Sequence, residues 1–330
     1  PEEYEGLGGG CLDLCLVVEE LSRICSGVAI TYAAVALGIT PLLQYGTEGQ
    51  KRKYLPDVAS GKKLAAFAVT EPTAGSDIGA IKTTAHRERD GYVLNGTKQF
   101  ITNGGEADLY TIIALTDKIR GARGASAILV EKDTPGFSFG RKEKKLGIRA
   151  SATRELVFED CWVPQENLIG KEGVGFIITL NLFDYTRPGI AAQGVGVAQG
   201  ALEAAVAYAR ERSQFGHPII SLQAVQHMLA DMAIQVEAAR ALTYAVARAV
   251  DSGAKNVTAE SAMAKVFASD VAMKVTTDAI QIFGGVGYMR DYPIEKMFRD
   301  AKITQIYEGT NQVLRNTIAI ELRKRKGLRG

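Results

Sequence analysis

The sequence predicts an α+β multidomain fold with three parts: a helical N-terminal region (1–63), a middle antiparallel β-barrel or sandwich domain (64–170) and a C-terminal four-helix bundle (171–330). Three observations carry that expectation. Apolar residues recur at three- and four-residue spacing before residue 60 and again after residue 170. Between them lie short β-rich runs separated by Gly, Asp and Asn. No helix-period stretch alternates with those runs, so a doubly wound nucleotide-binding sheet fits poorly.

The chain opens on PEEYEGLGGG, a turn-rich loop, after which Leu12, Leu16, Val17, Leu21 and Ile24 mark one helical stretch. A second runs from Ala29 to Ile39 and is expected to stop near Gly38 and Pro41. A short helix is expected over Lys51–Leu55. Expected strands are Leu64–Val69, Thr83–Arg89, Tyr92–Thr97, Leu109–Leu115, Ser126–Val130 and Glu155–Glu159. Asp90-Gly91, Asn95-Gly96 and Pro135-Gly136 supply turns. Beyond Gly170, helices are expected over Gly173–Gln214, Ser221–Ser252, Thr258–Phe283 and Asn311–Lys326, with breaks at Gly216-His217-Pro218 and Gly284-Gly285. The Ala-rich face of the first of these permits close helix approach.

Composition removes several function classes. With 46% hydrophobic and 23% charged residues the chain can bury a large core, and a formal charge of +2 offers no basic field for nucleic acid. No uninterrupted apolar run has the length of a membrane span and no secretory signal opens the chain, so no transmembrane segment and a cytoplasmic location are expected. Cys11, Cys15, Cys25 and Cys161 lack CxxC spacing and His86, His217 and His227 are scattered, which argues against a metal site and a disulfide framework. The sequons at Asn95 and Asn256 read as chance matches, and the C-terminal RKRKGLR as a solvated tail.

One carboxylate has a distinctive setting. Glu308 follows Tyr307 and precedes Gly309, Thr310 and Asn311, which places it on a turn just before a helix. Its apolar neighbours Ile303, Ile306 and Tyr307 suggest desolvation, which raises a carboxyl pKa and makes the carboxylate a stronger base. The residues alone leave open a second reading, an exposed glutamate at a helix start. The glycines of 194–200 do not form GxGxxG, follow no strand and read as helix packing. VTEPTAGSD (69–77) offers hydroxyls and flexible backbone at a strand end, as a cofactor loop would, or simply as a loop.

The order and wording of these stretches resemble the acyl-CoA dehydrogenase family. The matching segments are PEEYEGLGG (1–9), FAVTEPTAGSD (67–77), LNGTKQFITNGGEAD (94–108), KKLGIRAS (144–151), FDYTRPGIAAQGVGVAQGAL (183–202), RSQFGHPI (212–219) and QIFGGVGYMRDYPIEKMFRDAKITQIYEGTNQ (281–312). The resemblance runs over essentially the whole chain. It implies a helical domain, a β-domain and a four-helix bundle, with FAD bound in a cleft without a Rossmann unit. Members normally carry further helices ahead of the PEEY-like loop, and this chain lacks them, which suggests an N-terminal truncation.

The resemblance also implies roles. Thr70 and Thr102 are expected at the flavin ring, with Phe100 where the family often has Trp. Arg212, Phe215, Gln281 and Gly285 are expected to meet the FAD of a neighbouring subunit in a homotetramer, and Thr310 and Gln312 to contact cofactor as well. Glu308 matches the base that removes the α-proton of an acyl thioester while the β-hydride passes to FAD, giving a trans-2-enoyl-CoA. A subset of the family carries its base at the position of Thr186, which cannot serve. Ser76, Phe183, Asp184, Arg187, Tyr307 and Gly309 are the implied acyl-CoA contacts, and an electron-transferring flavoprotein is the implied electron acceptor. The early helical stretch AITYAAVALG (29–38) has no cation, favouring an apolar acyl chain. An oxygen-using acyl-CoA oxidase and a non-catalytic acyl-CoA or partner-binding protein are the alternatives.

Overall fold

The computed structural model describes residues 1–324, so 325–329 of the expected tail and the last residues of the expected final helix lie outside it. Two compact units are distinguished. The first holds residues 1–9, 31–144 and 150–183; the second holds 10–30, 145–149 and the chain from Asp184 on.

In the first unit, α2 (Glu48–Ala59) starts on a capping box in which the Thr47 side chain and Gln50 satisfy each other's backbone N–H groups. The strands are β1 (Ala65–Ala68), β2 (Thr84–Glu88), β3 (Gly91–Thr102), β4 (Leu109–Leu115), β5 (Ala125–Glu131), β6 (Phe137–Lys142), β7 (Thr153–Pro164) and β8 (Leu168–Ile169). They form one sheet in the order β6-β7-β3-β2-β4-β5-β8, with β1 added on β4. Pairing is mostly antiparallel, as expected, but β1 and β2 each run parallel to β4. Strands β2 and β3 meet in a two-residue hairpin turn, where Arg89 takes φ 54°.

Helix α1 (Cys11–Tyr45) starts in the second unit and ends in the first. Its two expected helical stretches are present, and the break between them is Cys25, with φ −151° and ψ 99°. The expected stop near Gly38 and Pro41 is corrected, because the helix continues to Tyr45 with Pro41 inside it. Gly38 is there for contact: a Cβ at that position would lie 2.6 Å from the Ala66 N, and its carbonyl accepts a 2.8 Å bond from the Thr111 hydroxyl.

The second unit is built on α3 (Gly175–Glu211, from Asp184 on), α4 (Gln223–Asp251), α5 (Thr258–Phe283), α6 (Ile294–Thr304) and α7 (Asn311–Lys324). One core holds Val195, Ala198, Ala201 and Ala205 of α3 with Val236 of α4, Ala268 and Val275 of α5 and Ala301 of α6. The glycines of α3 are packing positions, as the sequence implies. A Cβ at Gly196 would come within 2.2 Å of the Glu19 carbonyl oxygen, and one at Gly200 equally close to that of Arg23. Helices α1 and α3 are long and apolar enough to cross a membrane by length and composition alone. Core helices pass the same test, and 67% of the apolar window of α3 is buried in protein.

Candidate active site

Helix α6 ends at Thr304, and the chain makes a tight turn before α7 starts at Asn311. Tyr307 N–H donates back to the Ile303 carbonyl and Asn311 N–H to the Gln305 carbonyl at 3.0 Å, which closes the turn. Glu308 is left-handed at φ 50° and Gly309 follows at φ 98°. A non-glycine residue held there costs about 1 kcal/mol or more and persists only where neighbours fix it.

Those neighbours come from α3 and α5. Arg187 Nε donates to the Glu308 carbonyl at 3.2 Å and the fully buried Lys265 donates through Nζ to the Gly309 carbonyl at 2.7 Å. Lys265 also reaches Asn311 Oδ1 at 3.0 Å, and the Asn311 amide donates to Ser269 Oγ and Asp270 Oδ1. The Tyr307 hydroxyl donates to Gln193 Oε1, and Gln193 donates to Ser26 Oγ at 2.7 Å. Both peptide carbonyls after the turn's Cα atoms are therefore tied to helices, and the Glu308 side chain is left to face Thr186, whose hydroxyl donates to Glu308 Oε2 at 2.9 Å.

Residue 308 keeps part of its surface exposed, but its carboxyl is surrounded by protein. Burial pushes that carboxyl up to about 7, against the lowering effects of the Thr186 hydrogen bond and of the Arg187 and Lys265 charges. Lys265 is pushed down to about 7, first by burial and further by Arg187, while Glu308 and Asp270 pull it back up. Burial also lowers Arg187, whose guanidinium is paired with Asp184 at 2.9 Å. Asp184 is raised by its own burial and takes a 2.5 Å bond from the Thr258 hydroxyl. A carboxylate poised near neutrality, with one oxygen held by a hydroxyl, is suited to take a proton.

Of the residues expected in the site, the structure gathers Glu308, Arg187, Asp184 and Gly309 around this turn, with Tyr307 just behind it. The Thr310 hydroxyl accepts from Val313 N at 3.2 Å and so caps α7, and Gln312 is exposed on that helix's first turn. Arg212 and Phe215 lie on the exposed connection after α3, with Phe215 89% exposed at φ 54°; Gln281 and Gly285 are exposed at the end of α5. In the first unit, Ser76 is exposed and Phe183 is buried edge-on against Phe67. Thr70 and Thr102 are half-buried, and Phe100 projects from an irregularity in β3 at φ 59° and 59% exposed.

Sequence reasoning did not single out Lys265, Ser269, Asp270, Asn311 or Gln193. A usable signal existed for Lys265, a lone cation in the apolar, Ala-rich run AMAKVFAS, where a helix face is expected to be buried.

The second unit presents a desolvated carboxylate suited to take a proton, and the first presents an exposed aromatic ring and partly accessible hydroxyls, each a feature of enzymes that work with a flat cofactor. Comparison with known proteins gives the family. Residues 1–62, 66–161 and 173–322 match the N-terminal, middle and C-terminal domains of acyl-CoA dehydrogenase. An acyl-CoA dehydrogenase of Bacillus subtilis is 50% identical over 320 residues, 97% of this chain and 84% of that protein. The solved butyryl-CoA dehydrogenase of Megasphaera elsdenii superposes with TM-score 0.96 at 49% identity, over 98% of this chain and 85% of its own. A chain in a structure described as the electron transferring flavoprotein of Acidaminococcus fermentans gives TM-score 0.97 at 53% identity, over 98% and 86%. The protein belongs to the acyl-CoA dehydrogenase family, and it is an FAD-dependent acyl-CoA dehydrogenase.

The residues present fit that cofactor. Phe100 is a large apolar ring held out of the sheet by a positive φ, which suits a stacking partner, and Thr70 and Thr102 keep partly accessible hydroxyls. Gly285 has open space where a side chain would stand.

Proposed function

We propose that Glu308 is the base that removes the α-proton of a short, apolar acyl-CoA, and that the product is the trans-2-enoyl thioester. The observation that carries this reading is the Glu308 carboxyl raised to about 7 while its backbone is locked by Arg187 and Lys265. Bound FAD supplies the acceptor for the hydride that leaves the β-carbon. Thr186 holds Oε2, so Oε1 takes the proton. The Glu308 N–H, which makes none of the turn's backbone bonds, is assigned to the thioester oxygen, where it stabilises the negative charge that develops as the proton leaves. Desolvation narrows the gap between the base and a weakly acidic α-proton.

In this reading Thr70, Phe100 and Thr102 contact the flavin, as do Thr310 and Gln312. Arg212, Phe215, Gln281 and Gly285 meet the FAD of a neighbouring subunit in a homotetramer. Exposure of Phe215 at 89% and Tyr288 at 81% supports a surface that another copy covers. Ser76, Phe183, Asp184, Arg187, Tyr307 and Gly309 serve the acyl-CoA. A short chain is supported by the likeness to a butyryl-CoA dehydrogenase, and an electron-transferring flavoprotein as acceptor by the Acidaminococcus structure. The cytoplasm is the proposed location.

The test is an anaerobic titration of the FAD-loaded protein with acyl-CoAs, following loss of flavin colour. Glu308→Gln is expected to retain FAD and bind butyryl-CoA while reduction slows by at least about a hundredfold. Bleaching at close to the wild-type rate would remove Glu308 as the base.

A further inference from the structure

Away from Glu308, the first unit buries an ion pair to which the dehydrogenation chemistry gives no role. Lys98, on β3, has a side chain 0% exposed, and Glu71, on the loop after β1, one 4% exposed; Nζ and Oε1 are 2.7 Å apart. A buried ion pair adds little stability over an apolar pair of similar volume, because desolvation of two charges offsets their attraction. Burial lowers the Lys98 amine to about 8 even though Glu71 pulls it back up. What the pair supplies that two apolar side chains do not is direction.

Its hydrogen bonds show what is directed. Lys98 Nζ donates to the Val69 carbonyl at 3.1 Å, so one ammonium holds the residues on either side of Thr70. Thr70 itself accepts from Gln99 N–H at 2.8 Å. The Glu71 carboxylate accepts from Lys82 N at 2.6 Å and Thr83 N at 3.0 Å, and the Glu71 backbone exchanges two bonds with Ala74, which fixes the turn leading towards Ser76. Lys98 is also the last residue in register before β3 slips against β7; the displaced residues are Gln99 and Phe100, and Phe100 turns outward at φ 59°.

We propose that the Lys98–Glu71 pair is a positioning device for the cofactor, locking the loop that carries Thr70 to the bulge that carries Phe100 so that both meet the flavin together. This rests on the reading of Thr70 and Phe100 as flavin contacts. Lys98 and Glu71 are positioning residues; neither touches the ring.

The experiment measures FAD dissociation constants, by quenching of flavin fluorescence on titrating flavin-free protein, alongside urea unfolding of the same flavin-free samples. In Lys98→Met/Glu71→Gln the charges are removed together, and Gln keeps an acceptor for the 82–83 amides. This variant is expected to unfold near the wild-type midpoint yet bind FAD at least tenfold more weakly, with an altered visible spectrum of the bound flavin. Wild-type FAD affinity and spectrum in that variant would overturn the proposal, as would an affinity loss that only tracks lost stability. Should the double variant not fold, Glu71→Gln alone is the second probe, measured above about pH 8, where burial leaves the Lys98 amine neutral: about threefold weaker FAD binding is expected, and unchanged affinity overturns the device. Thr70→Val and Phe100→Ala are run in parallel. If they leave FAD affinity unchanged, the flavin-contact reading fails; if they weaken it and the double variant does not, the clamp alone fails.

Discussion

Replacing Lys265 by methionine removes the amine that ties Gly309 to α5 while keeping most of the apolar stem. Burial holds that amine near 7, and Glu308 keeps it from falling further. In the unfolded chain it titrates near its ordinary value of about 10.4. Between those two values the unfolded chain binds more protons than the folded one, so the wild type gains stability as pH rises through that window. Below 7 the penalty of burying the amine is fully present, and a difference of roughly three units corresponds to about 4 kcal/mol. The methionine variant escapes that penalty but leaves the Gly309 carbonyl without its donor, at about 1–3 kcal/mol. Asn311 Oδ1 keeps the Ser269 hydroxyl, at 3.2 Å. The order of stability therefore reverses: the variant equals or exceeds the wild type at about pH 6 and falls below it by about 1–3 kcal/mol at about pH 10. Paired urea unfolding of flavin-free wild type and Lys265→Met across that range, followed by circular dichroism, measures the difference. A difference that does not change with pH would refute the electrostatic account of this lysine.

Thr186→Val keeps shape and removes only the hydroxyl that donates to Glu308 Oε2. The carboxyl is then expected to rise further above about 7, moving the acidic limb of the rate–pH profile upward by about one unit with little change in the high-pH plateau. A limb that stays in place would show that the hydroxyl does not tune the base. Gly309→Ala forces a side chain onto φ 98° with its Cβ 2.9 Å from Leu314 Cδ2. A loss of about 1–3 kcal/mol in unfolding free energy is expected, together with slower flavin bleaching as the base is displaced. Full stability and rate in that variant would mean that the turn tolerates another geometry.

Where one physical cause decides an element, the sequence shows it. Helix α5 spans Thr258–Phe283 and β4 spans Leu109–Leu115, the limits that helical spacing and β-rich texture predict, because an Ala-rich run closed by Gly284 and a β-branched run between Asp108 and Asp117 leave one option. Gly38 and Pro41 mislead for the opposite reason. Locally they look like a helix end, but Gly38 lets α1 lie against β1, and packing outweighs propensity. Helix α6 and strands β6 and β8 are missing from the sequence expectation; α6 has only eleven residues and β8 two, too few for periodicity to rise above their neighbours. In the site, the turn and apolar flanks of Glu308 are legible, but they leave an exposed helix-start glutamate open, and it is the resemblance that singles the residue out. The anchors are not legible: Lys265 and Asn311 lie on other helices, and nothing in the spacing of either says that they meet at one carbonyl and one amide.

The contact between Thr186 and Glu308 gives the base assignment its geometric sense. The resemblance places some family members' base at the position of Thr186, on α3, far in sequence from the turn at 308. Here the hydroxyl at that position touches the Glu308 carboxylate at 2.9 Å. The two sequence positions therefore address one point in space, from a helix and from a turn, and under the proposed function a carboxylate supplied by either would reach the same substrate proton. Were both filled, two desolvated carboxylates in contact would drive one of them to hold its proton. A threonine on α3 is thus the complement of a glutamate on the turn. It occupies the alternative position with a neutral donor, and its hydrogen bond draws the Glu308 carboxyl back towards neutrality from the higher value that burial alone would impose.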